Sequence, residues 1–473
     1  MTFPSRRAAL TALTGLGAVL LSACTSLPQV PFWPADAPPD PMPPIVFVHG
    51  NGDTAALWMT TVWRFESNGW PRDRLHAIDF PLPLSRDDDS KPQAGRSSTA
   101  EQMKQLSDEV DRVLKATGAD KVVLMGNSRG GYTIRNYIQN GGGDKRVAAA
   151  ILGGTPNHGV WADAAVRPGS EYNGAGAFLR ALNAPKGPQG DEVTPGPRWL
   201  TLRSDNNDKF AQPDGTWIGS KGQPTHVSFA GPALKGATNL VLPGRDHREV
   251  SYHAEAFDAA WRFITGRAPA TTGYDAEARV VLDGVVSGPG VAGPTNQPLP
   301  GATVEVHEVD AATGARRGAP LLRKTIAADG HWGPLVTNAR TSLEFVVSAP
   351  GLATLHSYRS PFPRSSALVH LRAERLSADD QKAGAVLSLA RPRGYFGLPR
   401  DQVMLDGRNP APGIPPGVAG VAQSKLRLDE TPAANGQGRS VVGDFNSGAI
   451  HERIAGRLWP MAEQHLVVLE LRD

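Results

Sequence analysis

The sequence predicts an α/β domain with a mostly parallel central sheet, followed by an all-β region, sandwich or barrel, in the second half of the chain. Three observations lead there. Short continuous apolar runs alternate with helix-period segments as far as Gly266, the pattern of strands buried on both faces between helices. Beyond Gly266 the apolar residues alternate one by one between glycine- and proline-rich turns. A serine flanked by glycines, Gly126-Asn127-Ser128-Arg129-Gly130, stands where one apolar run gives way to a helical segment.

At 473 residues the chain has room for two or three domains, each with a core of its own. Its 40% hydrophobic and 20% charged residues are those of a globular protein, and its 52 glycines and 41 prolines imply many turns. The net charge of +3 includes Arg6 and Arg7, which fall in a segment expected to be removed and leave +1. No concentrated basic face points to nucleic acid. A single cysteine excludes an internal disulfide.

That cysteine stands in an informative place. Residues 1–24 join a basic pair, Ser5-Arg6-Arg7, to a short apolar stretch from Ala8 to Leu21 that is too short and small-residued for a membrane span. The pair resembles a twin-arginine export signal, with Ala9 where phenylalanine is usual. Leu21-Ser22-Ala23-Cys24 resembles a bacterial lipobox, which implies lipidation of Cys24, membrane attachment through it, and a periplasmic or outer-membrane lipoprotein. Residues 25–41 are proline-rich and read as an extended linker.

The first domain is expected over residues 42–267. Ile45–Val48 is its first buried strand. From Thr99 to Gly118, Met103, Leu106, Val110, Val113 and Leu114 recur at helical spacing, with Thr99 as cap and Gly118 as stop. Strands follow at Val122–Met125, Val147–Leu152, Trp199–Leu202 and Asn239–Leu242, with helices over Gly130–Ile138 and Val250–Ile264. Residues 161–198 form a long insertion in which Phe178, Leu179 and Leu182 make a small apolar face, either a lid or a plain packing helix. The β half is divided as 268–374 and 375–473, the second portion either separate or part of one larger domain.

A nucleophile elbow needs a strand before the serine and a helix after it, with small residues two positions away on either side. Ser128 meets each requirement, through Gly126 and Gly130. A serine hydroxyl attacks only when a base takes its proton and an acid orients that base, here expected in the order serine, acid, histidine. Of twelve histidines, His247 fits best, in a glycine-containing loop just past a strand and before the domain's last helix. Leu200-Thr201-Leu202-Arg203-Ser204-Asp205-Asn206-Asn207-Asp208 offers two acids. A resemblance of this strand end to the G-x-x-D pattern of many α/β-hydrolases, with Asp205 at the glycine position, implies Asp208 as the acid, and a shorter turn would make Asp205 the acid instead. Backbone N–H groups of Arg129, directly after the serine, and of Asn51, in His49-Gly50-Asn51-Gly52, are the expected oxyanion donors.

With these residues placed, the first domain resembles the α/β-hydrolase superfamily and its bacterial lipases and esterases. The matching parts are Val46-Phe47-Val48-His49-Gly50-Asn51-Gly52, Gly126-Asn127-Ser128-Arg129-Gly130-Gly131, Gly153 to Val160, and Asp246-His247-Arg248. Many lipases carry histidine before the nucleophile and an apolar residue after it; Asn127 and Arg129 depart from that pattern. The layout is similar to two-domain archaeal lipases whose β-domain takes part in lipid binding. Within the β half, Gln297 to Val306 followed by Ala327 to Leu335 resembles transthyretin-like, carboxypeptidase-regulatory sandwiches. The resemblance implies a serine carboxylic-ester hydrolase acting on lipid, small or polymeric esters, without metal or cofactor. An acyltransferase on the same scaffold and a non-catalytic, surface-tethered binding protein are the alternatives. Asp87-Asp88-Asp89 reads as a solvated loop rather than a calcium site.

Overall fold

The computed structural model describes residues 42–473. The export signal, Cys24 and the linker over 25–41 lie outside the described residues. The first domain is built on six strands, β1 (Ile45–Val48), β2 (Leu75–Ile78), β3 (Val122–Asn127), β4 (Val147–Gly153), β5 (Arg198–Ser204) and β6 (Thr238–Leu242). They lie in the order β2-β1-β3-β4-β5-β6, and every pairing is parallel. β2 went unnoticed in the sequence because Leu75-His76-Ala77-Ile78 is half-buried and carries no continuous apolar run.

The alternation of side chains along each strand sorts the sheet into two faces. Phe47, Val123, Met125, Ile151 and Leu200 meet α1 (Met59–Ser67) through Phe65 and the helix Ala254–Thr265 through Phe257 and Trp261. Val46, Val48, Leu124, Ala150 and Leu152 meet α2 (Thr99–Thr117) and α3 (Arg129–Asn140) through Leu106, Val110, Ile134 and Ile138. Burial on both faces is why these strands read as continuous apolar runs.

Two helix boundaries differ from expectation. Ser98, not Thr99, caps α2: its hydroxyl accepts from Glu101 N, and the Glu101 carboxylate accepts from Ser98 N at 2.6 Å. Thr99 is instead held by Asp89, which accepts from its backbone N at 2.8 Å and from its hydroxyl at 2.6 Å. The helix expected over Val250–Ile264 is two, because His253 is extended at φ −60° and ψ 160° and separates Glu249–Tyr252 from Ala254–Thr265. Within the insertion, α4 (Ala177–Leu182) buries Leu179 and Leu182 against Tyr132 of α3.

Beyond Gly266 the described residues form β-strands and short 3₁₀ turns. The largest sheet has seven strands, and in it Thr354–Arg359 runs parallel to His465–Glu470, which pairs in turn with Ala385–Ala390. Strands from before and after residue 374 therefore share one sheet. The two halves of the chain also share apolar packing: Trp63 of α1 is buried among Val280, Leu282, Phe345 and Phe362. Its indole N–H donates to Ser365 O at 2.9 Å.

Candidate active site

Ser128 lies between the C-terminal end of β3 and the first residue of α3, at φ 53° and ψ −120°. A non-glycine residue holds such angles only where its surroundings enforce them. Close packing around the turn does so. A Cβ on Gly130 would run into the carbonyl oxygens of Val48 and His49, and one on Gly126 would lie 2.6 Å from Ile134 Cδ1. Because β1 and β3 are neighbours, the loop after β1 passes directly over the turn, and a Cβ on Gly50 would lie 3.1 Å from Ser128 Cβ.

His247 Nδ1 donates to Asp208 Oδ2 at 2.9 Å. The other carboxylate oxygen, Oδ1, accepts from Phe210 N at 2.8 Å. Asp205 is engaged elsewhere, accepting from Gly244 N at 3.1 Å, so Asp208 is the acid that reaches the imidazole. His247 Nε2 is buried without a hydrogen-bond partner, and it lines the same cavity as Ser128. That cavity holds about 230 Å³ and is walled by Trp161, Tyr172, Phe210, Trp217 and Tyr395. Phe210 presents its ring edge-on to His247 with centroids 4.6 Å apart. His158, His226 and His253 are not part of this cavity: His158 pairs with Glu192 at 2.9 Å, and His253 caps the last helix.

The two unusual neighbours of the serine have structural work. Asn127 Nδ2 donates to Ser251 Oγ at 2.7 Å and to the carbonyls of His247 and Gly153 at 3.2 Å each, tying the serine strand to the histidine loop. A neutral amide reaches both segments from one buried position. Arg129 points away from the cavity and is fully buried in a two-pronged pair with Glu171, Nε and Nη2 each 2.7 Å from a carboxylate oxygen. Its remaining N–H groups donate to Pro83 O, Ser97 Oγ and Ser97 O. Burial opposes the charge on Arg129, and Glu171 more than offsets it. Its main-chain N–H, first in α3, is left without an intrahelical acceptor. Asn51 lines the cavity, and its side-chain oxygen accepts from Ser85 N at 2.8 Å.

Sequence reasoning missed the share of the β region. Tyr395 forms one wall of the cavity, and Lys209, next to Asp208, places its ammonium 3.9 Å from the centre of that ring. Burial lowers the Lys209 pKa to about 8, with a smaller push from Arg248. The residues flanking His247 meet buried Arg391, whose guanidinium donates to Glu249 at 2.6 Å and to Asp246 at 3.2 Å. Arg400 adds a contact to Glu249 at 2.7 Å. No local pattern announces these long-range pairs. Among the described residues no group of His, Cys, Asp and Glu is arranged to hold a metal ion.

Residues 43–187 match the family model described as alpha/beta hydrolase fold, and residues 279–376 match Lipase C-terminal domain. The first half of the chain has the α/β-hydrolase fold. The transthyretin-like resemblance falls inside the stretch matched by the lipase C-terminal domain. Among solved structures this chain is similar to the Bacillus licheniformis lipase BlEst2 in its propeptide form, at 16% identity and TM-score 0.33, over 90% of this chain and 94% of that one. It is similar to carboxylesterase CesB from Bacillus subtilis at 15% identity and TM-score 0.26, over 49% and 86%. Phospholipase PlaB from Legionella pneumophila aligns at 12% identity and TM-score 0.32, over 71% and 96%.

Proposed function

We propose that the protein is a serine hydrolase of carboxylic esters that works through Ser128, His247 and Asp208. The observation that carries this reading is the pairing of Asp208 with His247 Nδ1, which leaves a buried, unpartnered Nε2 on the cavity that Ser128 lines. Nδ1 bears the proton when it donates to the carboxylate, so Nε2 is the basic nitrogen. Ser128 Oγ attacks the ester carbonyl while His247 Nε2 takes the hydroxyl proton. The carbonyl π-bond opens to an oxyanion, which receives hydrogen bonds from the N–H groups of Arg129 and Asn51. Collapse of that intermediate breaks the bond to the alcohol, which leaves with the proton from His247. Water, deprotonated by the same nitrogen, then attacks the acyl-enzyme and releases the acid and Ser128.

The cavity supports a compact substrate or the end of a longer one. About 230 Å³ lies below the usual range for ligand pockets, and the aromatic walls favour flat or apolar groups. Lipid-like, small and polymeric esters all present such an end. The resemblance of Leu21-Ser22-Ala23-Cys24 to a lipobox supports attachment to a bacterial envelope membrane, where esters of these kinds would be met.

Hydrolysis of p-nitrophenyl butyrate by the protein, abolished in Ser128→Ala at unchanged melting temperature, is the expected result. Equal activity in that variant would sink the reading and leave a binding protein on a hydrolase fold. Attachment has a separate test: Cys24→Ser is expected to move the protein from the membrane fraction to the soluble one, and unchanged fractionation would refute it.

A further inference from the structure

The loop that would supply the Asn51 N–H is held from behind by a residue of the β region. Asn296 sits on the hairpin formed by Val286–Pro289 and Pro294–Pro298, and it is buried. Its side-chain amide N donates to Asp53 O at 2.9 Å and to Phe80 O at 3.0 Å, and lies 3.4 Å from His49 Nε2. The amide oxygen accepts from Arg372 Nη2 at 2.7 Å, which fixes which end of the amide faces the loop. Arg372 also donates to Gly52 O at 3.2 Å.

These bonds converge on the orientation of one peptide. His49 Nε2 accepts from Phe80 N at 3.1 Å, so the ring proton sits on Nδ1, which donates to Gly50 O at 2.8 Å. Burial lowers the His49 pKa and keeps the ring neutral, with the nearby Asp79 opposing it. In a trans peptide the carbonyl of one residue and the N–H of the next point in opposite directions. Holding Gly50 O against the ring therefore aims the Asn51 N–H away from it. The carbonyls of Gly52 and Asp53, the next two along the loop, are pinned to Arg372 and Asn296.

We infer that Asn296, contributed by the β region, is a positioning residue that sets the direction of the Asn51 oxyanion donor. This rests on the ester-hydrolase reading. Asn296 touches no substrate and acts through His49, Phe80 and Asp53. A donor aimed at the developing oxyanion acts mainly in the transition state, so its misplacement lowers kcat more than it raises KM.

The test compares the full chain with Asn296→Ala and Asn296→Asp. The second keeps the shape and the Arg372 contact but removes both N–H donors. Trp63→Phe serves as the control, since it loses the bond to Ser365 O in the same interface without touching the loop. The readouts are kcat and KM for p-nitrophenyl butyrate, inhibition by phenylboronic acid, and the melting temperature. Both Asn296 variants are expected to lose about 10- to 100-fold in kcat, with KM changed less than about 3-fold. Boronate affinity should fall by a similar factor, because its tetrahedral adduct places an oxygen in the same hole. Trp63→Phe is expected to lower the melting temperature while kcat and boronate affinity stay within about 2-fold of wild type. Asn296→Asp that melts lower yet keeps kcat and boronate affinity would reduce the residue to a structural bond and overturn the inference. A wild-type protein without esterase activity would overturn the ester-hydrolase reading and this inference together. An active wild type with unaffected Asn296 variants would overturn this inference alone.

Discussion

Removing the carboxylate of Glu171 tests why an arginine follows Ser128. Both side chains of the Arg129–Glu171 pair are about 1% exposed, and both prongs are 2.7 Å long. Glu171→Ala leaves a buried guanidinium with two N–H groups unpaired, while the bonds to Pro83 and Ser97 persist. An uncompensated buried charge of this kind costs about 3–5 kcal/mol. A domain of 150–250 residues loses roughly 2–4 °C in melting temperature per kcal/mol, so a fall of roughly 6–20 °C is expected. Because Glu171 belongs to the insertion and Arg129 to α3, the variant also frees one from the other, and activity should fall with stability. The assay is thermal unfolding followed by fluorescence, alongside hydrolysis of p-nitrophenyl butyrate. The double variant Arg129→Met/Glu171→Leu removes both charges at similar volume and should recover most of the lost stability. A fall below about 2 °C in Glu171→Ala would refute the reasoning, since it would mean that water or another group pairs the guanidinium.

Two further outcomes follow from the site. Asp208→Asn is expected to lose on the order of 10⁴-fold in kcat and Asp205→Asn less than about 10-fold, because only Asp208 orients the imidazole; steady-state kinetics of both purified variants would expose the reverse ranking. Lys209 has a folded pKa lowered to about 8 from 10.5, so between those values the unfolded chain binds more protons and stability rises with pH. Urea unfolding at pH 7 to 10 should show wild type gaining on Lys209→Met by up to roughly 2–4 kcal/mol across that window, and a constant difference would reject the assignment.

Much of the candidate site was legible in the chain because a nucleophile elbow is defined by local backbone geometry. The strand before Ser128, the helix after it and the small residues at 126 and 130 all act within a few residues of one another, so their order in sequence is their order in space. The buried strands were legible for a related reason: packing on two faces demands apolar residues at consecutive positions. Half-buried β2 carried no such demand and was missed. The break at His253 and the shift of the cap to Ser98 depended on single hydrogen bonds that periodicity does not register.

The parallel sheet, the glycine-flanked turn at Ser128, the loop at His247 and the change to β structure after Gly266 follow from patterns local to the chain. Choosing between Asp205 and Asp208 needed the turn after β5 in three dimensions, because two acids three residues apart differ in direction rather than in type. The burial of Arg129, the Tyr395 wall and the Asn296 bonds behind the loop at residues 49–53 depend on tertiary contacts. Each joins groups from tens to hundreds of residues apart, through side chains whose composition would suit an ordinary polar surface. Tyr395 and Asn296 reach these places only when the β region closes against the parallel sheet, and Arg129 is buried only when Glu171 of the insertion packs on α3.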